Sequence, residues 1–136
     1  MTEYKKPLPE ITAESRPFWE GCRSHRLLIQ RCRGCGNVQH YPRAVCATCW
    51  SEELTWQKSP GRGSVYTFTV VHRTEARGFR EEVPYVIAYV ELEEGVQLLT
   101  NLVGSDPARL SIGMPVEVTF EDVDDQITIP RFKPTS

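Results

Sequence analysis

Cys32-Arg33-Gly34-Cys35-Gly36-Asn37, followed after a short interval by Cys46-Ala47-Thr48-Cys49, is the stretch that decides the fold. Two Cys-x-x-Cys pairs within eighteen residues have the spacing that converges tetrahedrally on one zinc ion. Each pair reads as a zinc knuckle. The glycines of the first allow a tight, partly left-handed turn that aims backbone N–H groups at the thiolates; the second pair lacks them but keeps the spacing. Cys32, Cys35, Cys46 and Cys49 are therefore the candidate metal ligands. Four thiolates close the coordination shell, leaving no position for water or substrate, so the metal is structural. A thioredoxin-type redox site needs one such pair at the head of a helix in a βαβ setting, which neither pair has. A secreted disulfide framework would call for a signal peptide, and Met1-Thr2-Glu3-Tyr4-Lys5-Lys6 leads into no apolar core.

Outward from the cysteines the pattern is that of short strands. Leu27-Leu28-Ile29-Gln30 runs into the first knuckle, Val38-Gln39-His40-Tyr41 returns from it, and Leu54-Thr55-Trp56 leaves the second. A ribbon of this size cannot bury a self-sufficient core, which is the physical reason for a metal. His40 stands beside a complete four-cysteine set and is not needed as a ligand. Upstream, Thr12 or Ser15 caps a predicted helix that tolerates Pro17 in its first turn and places Phe18, Trp19 and Cys22 on one face. Phe18 and Trp19 either cover the core or meet a partner. Cys22 lies outside the zinc spacing and reads as a small buried apolar residue.

Ser59-Pro60-Gly61-Arg62-Gly63 is the clearest break, and β-branched and aromatic residues dominate after it. Five strands are predicted: Gly63–His72, Tyr85–Leu92, Val96–Val103, Pro115–Phe120 and Ile127–Ile129. Glu93-Glu94-Gly95 makes a tight hairpin turn, and Asp106–Leu110 is a predicted single helical turn, ending at Gly113. This arrangement is that of a five-stranded OB-fold barrel, although periodicity alone also permits another small barrel. The fold class is mainly β: an N-terminal helical segment (1–26), a rubredoxin-like zinc ribbon (27–60) and an OB-fold domain (61–136).

The composition, 40% apolar and 25% charged, is that of an ordinary globular protein. No apolar run approaches the roughly 20 residues a bilayer-spanning helix needs, and free thiolates fit a reducing cytoplasm. Charge is unevenly distributed. Residues 1–60 carry nine Lys/Arg against six Asp/Glu, whereas residues 61–136 carry seven against twelve. A barrel that binds single-stranded nucleic acid is expected to present a basic groove with stacking aromatics, and this half is acidic.

Phe18-Trp19-Glu20, Leu28-Ile29-Gln30-Arg31-Cys32 with Cys35-Gly36, Tyr41-Pro42-Arg43, the Cys46/Cys49 knuckle, Gly61-Arg62-Gly63, Pro84-Tyr85 and Ile112-Gly113-Met114-Pro115-Val116 together carry a resemblance. The chain resembles, over nearly its whole length, the zinc-ribbon/OB-fold family catalogued as domain-of-unknown-function family thirty-five. The resemblance implies a non-catalytic accessory subunit. Family members associate with thiolase-fold enzymes, including thiolases, hydroxymethylglutaryl-CoA-synthase assemblies and steroid side-chain aldolases, and are implicated in handling acyl-CoA thioesters.

The residues themselves announce no catalytic set. His25, His40 and His72 lie in different segments and in no nucleophile motif. Glu91, Glu93 and Glu94, and the run Asp122, Asp124 and Asp125, read as solvated faces. Gly61-Arg62-Gly63 precedes a strand rather than a helix, so it reads as a link between modules, not a phosphate loop. Arg16, Arg23, Arg26, Arg31, Arg33 and Arg43 concentrate around the ribbon, where guanidinium forks would suit the phosphates of coenzyme A or an acidic partner; scattered surface arginines are the alternative. The loop Arg73–Val83 offers Phe79 between Arg77 and Arg80, the composition of an interface anchor or of a loop with no role. Trp19, Arg23, Arg33, Arg43, Phe79 and Arg80 are thus the candidate acyl-CoA or partner contacts. The competing functions are a single-stranded nucleic-acid-binding protein and a stand-alone acyl-CoA-binding module.

Overall fold

A computed structural model describes residues 8–75 and 78–135. The N-terminal helix α1 spans Arg16–Arg23. Its entry is a reciprocal box: the Ser15 amide donates to Thr12 Oγ1 (3.2 Å) and the Thr12 amide to Ser15 Oγ (3.0 Å), which satisfies N–H groups that the first turn leaves open. Both predicted capping residues take part in this entry turn, although the Ser15 side chain accepts no hydrogen bond from an amide inside α1. At the other end His25 adopts φ 57°, its amide donating to Cys22 O and that of Arg26 to Gly21 O, a Schellman ending with histidine where glycine is usual. The chain then turns directly into the ribbon.

The ribbon is a three-stranded antiparallel sheet, β1 (Leu27–Cys32) flanked by β2 (Val38–Gln39) and β3 (Leu54–Ser59). β2 is shorter than the predicted Val38–Tyr41, because His40 turns inward against Phe18, ring centroids 5.3 Å apart, and Pro42 has no N–H to continue a ladder. β3 is longer than predicted and pairs with β1 along its full length, from Leu27↔Ser59 to Cys32↔Leu54.

Five strands follow: β4 (Arg62–Val71), β5 (Tyr85–Leu92), β6 (Gln97–Leu102), β7 (Pro115–Asp122) and β8 (Thr128–Pro134). They close into a barrel in the order β4-β5-β6-β8-β7, with β6 and β8 parallel and every other pair antiparallel. The mixed order requires a crossover between β6 and β7. It contains the predicted helical turn, a 3-10 turn at Pro107–Arg109 in which the Asp106 side chain accepts from the Ala108 amide. Gly95, at φ 94°, completes the β5–β6 turn. A bulge at Tyr66 shifts the β4–β5 register, and Val65 then exchanges hydrogen bonds with Gly113 and Met114. That bend brings β4 onto β7 and closes the barrel.

β8 extends well beyond the predicted Ile127–Ile129. Pro130 and Pro134 argue against a strand on sequence, but β8 meets β6 only around Phe132, so the prolines occupy positions whose missing N–H leaves no ladder bond broken.

One continuous core joins the modules. Phe18 and Cys22 of α1, and Leu27 and Ile29 of β1, pack in the same cluster as Val65, Val90, Val116 and Phe132 of the barrel. Cys22 is fully buried, and burial pushes its thiol up to about 12, so it behaves as an inert apolar side chain. A second link is polar. His25 Nε2 lies 2.9 Å from Asp122 Oδ1 and its ring stacks on Phe120; with Thr128, the histidine holds Asp122 below the usual carboxylate range. Asp122 is thus more than one of a solvated run, although an exposed pair of this kind adds little to stability.

Gly61 and Gly63 do more than link modules. A Cβ on Gly61 would stand 2.2 Å from Val118 Cγ1, and one on Gly63 2.3 Å from the Glu91 carbonyl oxygen. Gly63→Ala should therefore destabilise the protein by about 1–3 kcal/mol, while Gly34→Ala, whose nearest neighbour would be 3.6 Å away, should change the urea midpoint little. His40 supplies a second test. Its Nδ1 is buried without a partner and desolvation pushes the imidazole down to about 4. The unfolded chain therefore takes up a proton that the folded chain refuses, and stability should fall as pH drops from the ordinary 6.5 towards about 4. His40→Leu should flatten that slope in urea titrations.

Candidate metal centre and contact surfaces

The four predicted ligands come together. The sulfurs of Cys32, Cys35, Cys46 and Cys49 all lie within 4.8 Å of one another, with Cys32 to Cys49 at 3.5 Å and Cys35 to Cys46 at 3.6 Å. The edge of a tetrahedron with roughly 2.3 Å zinc–sulfur bonds is about 3.8 Å, so the donor set fits a zinc ion and is too open for disulfides. All five cysteines are free. The surroundings favour charge on some sulfurs and oppose it on others. Amides from Cys49 and Thr48 hold Cys46 down at about 6, and Cys32 is lowered chiefly by the Cys35 amide. Cys49, despite the Ser51 amide, is pushed up to about 12 by the neighbouring thiols Cys32, Cys35 and Cys46 and by desolvation. Four sulfurs this close cannot all ionise without a cation among them.

The two knuckles match bond for bond. Cys32 N–H donates to Asn37 O and Cys46 N–H to Ser51 O, both 2.8 Å; Gly36 N–H donates to Cys32 O and Trp50 N–H to Cys46 O, both 2.9 Å. The residue after the second cysteine of each pair is left-handed, Gly36 at φ 80° and Trp50 at φ 68°. Glycine accepts this freely, whereas a side chain there costs about 1–2 kcal/mol. Trp50 is also 78% exposed.

Two buried glutamines, Gln30 on β1 and Gln39 on β2, hold the second knuckle in place, a function that the sequence did not signal. Gln39 Nε2 donates to Gln30 Oε1 (2.7 Å), Gln30 Nε2 to Arg43 O (2.9 Å), and the amides of Arg43 and Ala47 donate back to Gln30 Oε1 and Gln39 Oε1. The loop that carries Cys46 is thereby fastened to the sheet that carries Cys32.

Trp19 and Phe79, far apart in sequence, border one strip of the barrel surface. Trp19 lines a 420 Å³ groove with Tyr41, Pro42, Leu99, Thr100 and Ile129, and Phe79 lines a 360 Å³ hollow with Tyr85, Ile87, Leu99 and Thr100. Between them the outward face of β5 and β6 presents Ile87, Tyr89 (41% exposed) and Leu99 (50% exposed), the last two directly opposed across the ladder. The arginines are more dispersed. Arg23 ends α1, Arg33 tips the first knuckle with its amide on Glu53 O, and Arg43 borders a groove with Tyr41 and Val96. Arg80 pairs with Glu75 at 3.1 Å; Arg77 lies outside the described residues. The histidines sit apart, His25 on Asp122, His40 half-buried against Phe18, and His72 exposed.

Residues 19–55 match the family model described as the ChsH2 rubredoxin-like zinc ribbon domain, and residues 56–121 the ChsH2 C-terminal OB-fold domain. A probable enoyl-CoA hydratase alpha subunit of Thermomonospora curvata is 39% identical over 129 residues, which is 95% of this chain but 40% of that protein. A DUF35 domain-containing scaffold protein of Methanocaldococcus jannaschii is 38% identical over 121 residues, 85% of each chain. The benzoylsuccinyl-CoA thiolase subunit BbsA of Thauera aromatica is 28% identical over 126 residues, 92% of this chain and 79% of that one. Among solved structures, a chain of the Ltp2-ChsH2(DUF35) aldolase superposes with a TM-score of 0.84 at 38% identity, over 93% of this chain and 98% of that one. The fold, the cysteine cluster and these likenesses agree: the chain belongs to the DUF35 family, as a ChsH2-type zinc ribbon joined to an OB-fold barrel.

Proposed function

We propose that this protein is a non-catalytic accessory subunit that binds a thiolase-fold enzyme and helps to bind or position that enzyme's acyl-CoA thioester. The observation that carries the proposal is the apolar strip from Trp19 and Tyr41 through Leu99, Tyr89 and Ile87 to Tyr85 and Phe79. Tyr41, Tyr89 and Leu99 are exposed and Trp19, Ile87, Tyr85 and Phe79 half-buried, and aromatic and aliphatic side chains left open to water in one patch suit a partner surface. Relatives named as a scaffold, as subunits of CoA-thioester enzymes and as part of an aldolase support the same reading. Arg43, at the rim of the adjoining groove, is suited to a coenzyme A phosphate. The four cysteines hold a structural zinc ion, and thiolate ligands without disulfides suit a cytoplasmic setting. Among the described residues no helix is long and apolar enough to cross a membrane.

The zinc assignment predicts one zinc per chain by elemental analysis. Cys46→Ser or Cys32→Ser should lose the metal and loosen the ribbon, whereas Cys22→Ser should keep it. Because the ligands bind as thiolates, acidification should release zinc, followed with a chromogenic chelator. Full zinc in Cys46→Ser would refute the ligand set.

The accessory role predicts that the purified chain alone turns over no acyl-CoA and that a thiolase-fold enzyme co-purifies with it from its source cells, identified by mass spectrometry. Leu99→Asp should weaken that association by tenfold or more, about 1.4 kcal/mol, and Arg43→Glu should weaken acyl-CoA binding to the complex. Turnover by the isolated, repurified chain would overturn the proposal. So would tight, salt-tolerant binding of a single-stranded oligonucleotide through Tyr66 or Phe68, since the acidic barrel has few cations to displace counterions from phosphates.

A further inference from the structure

From the second knuckle we infer that Trp50 is an anchor that inserts into an apolar pocket on the partner enzyme; this rests on the accessory-subunit reading. Three observations meet at this residue. Its backbone is left-handed at φ 68°, in the position that the first knuckle gives to Gly36. The fold therefore asks for glycine, and a large side chain is held there against local conformational preference. Its indole is 78% exposed, so packing within this chain does not offset the strain. Its base is rigid. The Trp50 amide is bonded to Cys46 O and the next residue's carbonyl accepts from Cys46 N–H, so the side chain projects from a hydrogen-bonded turn. A bulky aromatic presented on a preorganised base at little further entropic cost has the character of a binding hot spot.

The neighbours indicate what kind of surface receives it. Exposed Glu52 and Glu53 follow Trp50, and exposed Arg33 is tied to Glu53 through its amide. Exposed carboxylates two and three positions along the chain disfavour the phosphates of a nucleic acid, which would otherwise use such a ring for base stacking. An apolar protein pocket whose rim pairs with both charge signs suits this tip. The tip is formed by the zinc knuckles, whereas the apolar strip lies on the barrel and the α1 groove, so this anchor is an addition to that contact.

Trp50→Gly is the decisive variant, because glycine suits the backbone. It should retain full zinc and unfold at or above the wild-type urea midpoint, yet bind the co-purifying thiolase-fold enzyme about thirtyfold more weakly. Trp50→Phe should recover part of the loss. Affinities are measured by titrating the isolated enzyme with wild type, each Trp50 variant and Leu99→Asp. Wild-type affinity in Trp50→Gly together with weakened binding in Leu99→Asp would overturn the anchor and leave the accessory role intact. Failure of the wild-type chain to bind any thiolase-fold enzyme would overturn both. A labelled single-stranded oligonucleotide that binds wild type and is lost in Trp50→Gly would overturn the assignment of a protein pocket.

Discussion

Four cysteine sulfurs within 4.8 Å of one another impose the constraint on which the N-terminal half depends. Thiolates at that separation repel, and neutral thiols would make a poor nucleus for a sheet whose β2 is two residues long. A divalent cation resolves both problems, converting mutual repulsion into a cross-link between the end of β1 and a loop that no ladder holds. The protein prepares for it with backbone amides aimed at the sulfurs and with Gln30 and Gln39, which fasten the loop through its own amides and carbonyls. Buried amide pairs of this kind are useful only when their groups are satisfied. Here each glutamine uses both ends of its amide.

What the metal holds does not stop at the ribbon. Cys32 ends the strand that begins with Leu27 and Ile29, and these pack with Phe18 and Cys22 of α1 into the core that contains Phe132 of β8. Trp19, next to Phe18 on the helix, lines the groove whose far wall is Leu99 and Ile129. Strand, helix and groove therefore form one chain of packed contacts from the metal ligands to the surface proposed for the partner. Close packing transmits displacement along such a chain, so a ribbon without metal would disturb a surface made mostly of barrel residues. On the proposed function, zinc would contribute to recognition through position.

The sequence revealed whatever was encoded locally. Cysteine spacing gave the candidate ligand set, and Glu93-Glu94-Gly95 and Asp106-Pro107 marked their turns, because each pattern acts over a few residues. Features that depend on distant partners were hidden. The last predicted strand stops at Ile129, before Pro130, because the sequence does not show which edge of β8 lacks a full ladder. His25 meets Asp122 across 97 positions, and neither residue has a pattern around it. Trp19 and Phe79 were legible one at a time as aromatic candidates, but their common border at Leu99 is a property of the closed barrel. Arg23, Arg33 and Arg43 pose the converse case: close in sequence, they sit on a helix end, a knuckle and a loop. Trp50 carried a signal that was easy to pass over, since the second knuckle's lack of glycine means that some other residue occupies the left-handed position.

The division of labour follows from how the barrel is filled. Val65, Val90, Val116 and Phe132 are each about 1% exposed or less, so the interior of this small barrel is side-chain core, as five strands of this length require. A ligand the size of an acyl-CoA must therefore lie against the outside. A shallow external groove removes too little of an extended thioester from water to hold it tightly by itself. Covering that groove with a second protein changes the balance, because the partner removes water from the other side of the ligand and from the apolar strip in one step. On the proposed function the geometry favours a shared site over a stand-alone carrier: the surface proposed for the enzyme adjoins the groove proposed for its substrate, and each would become a better binding site when the other is occupied.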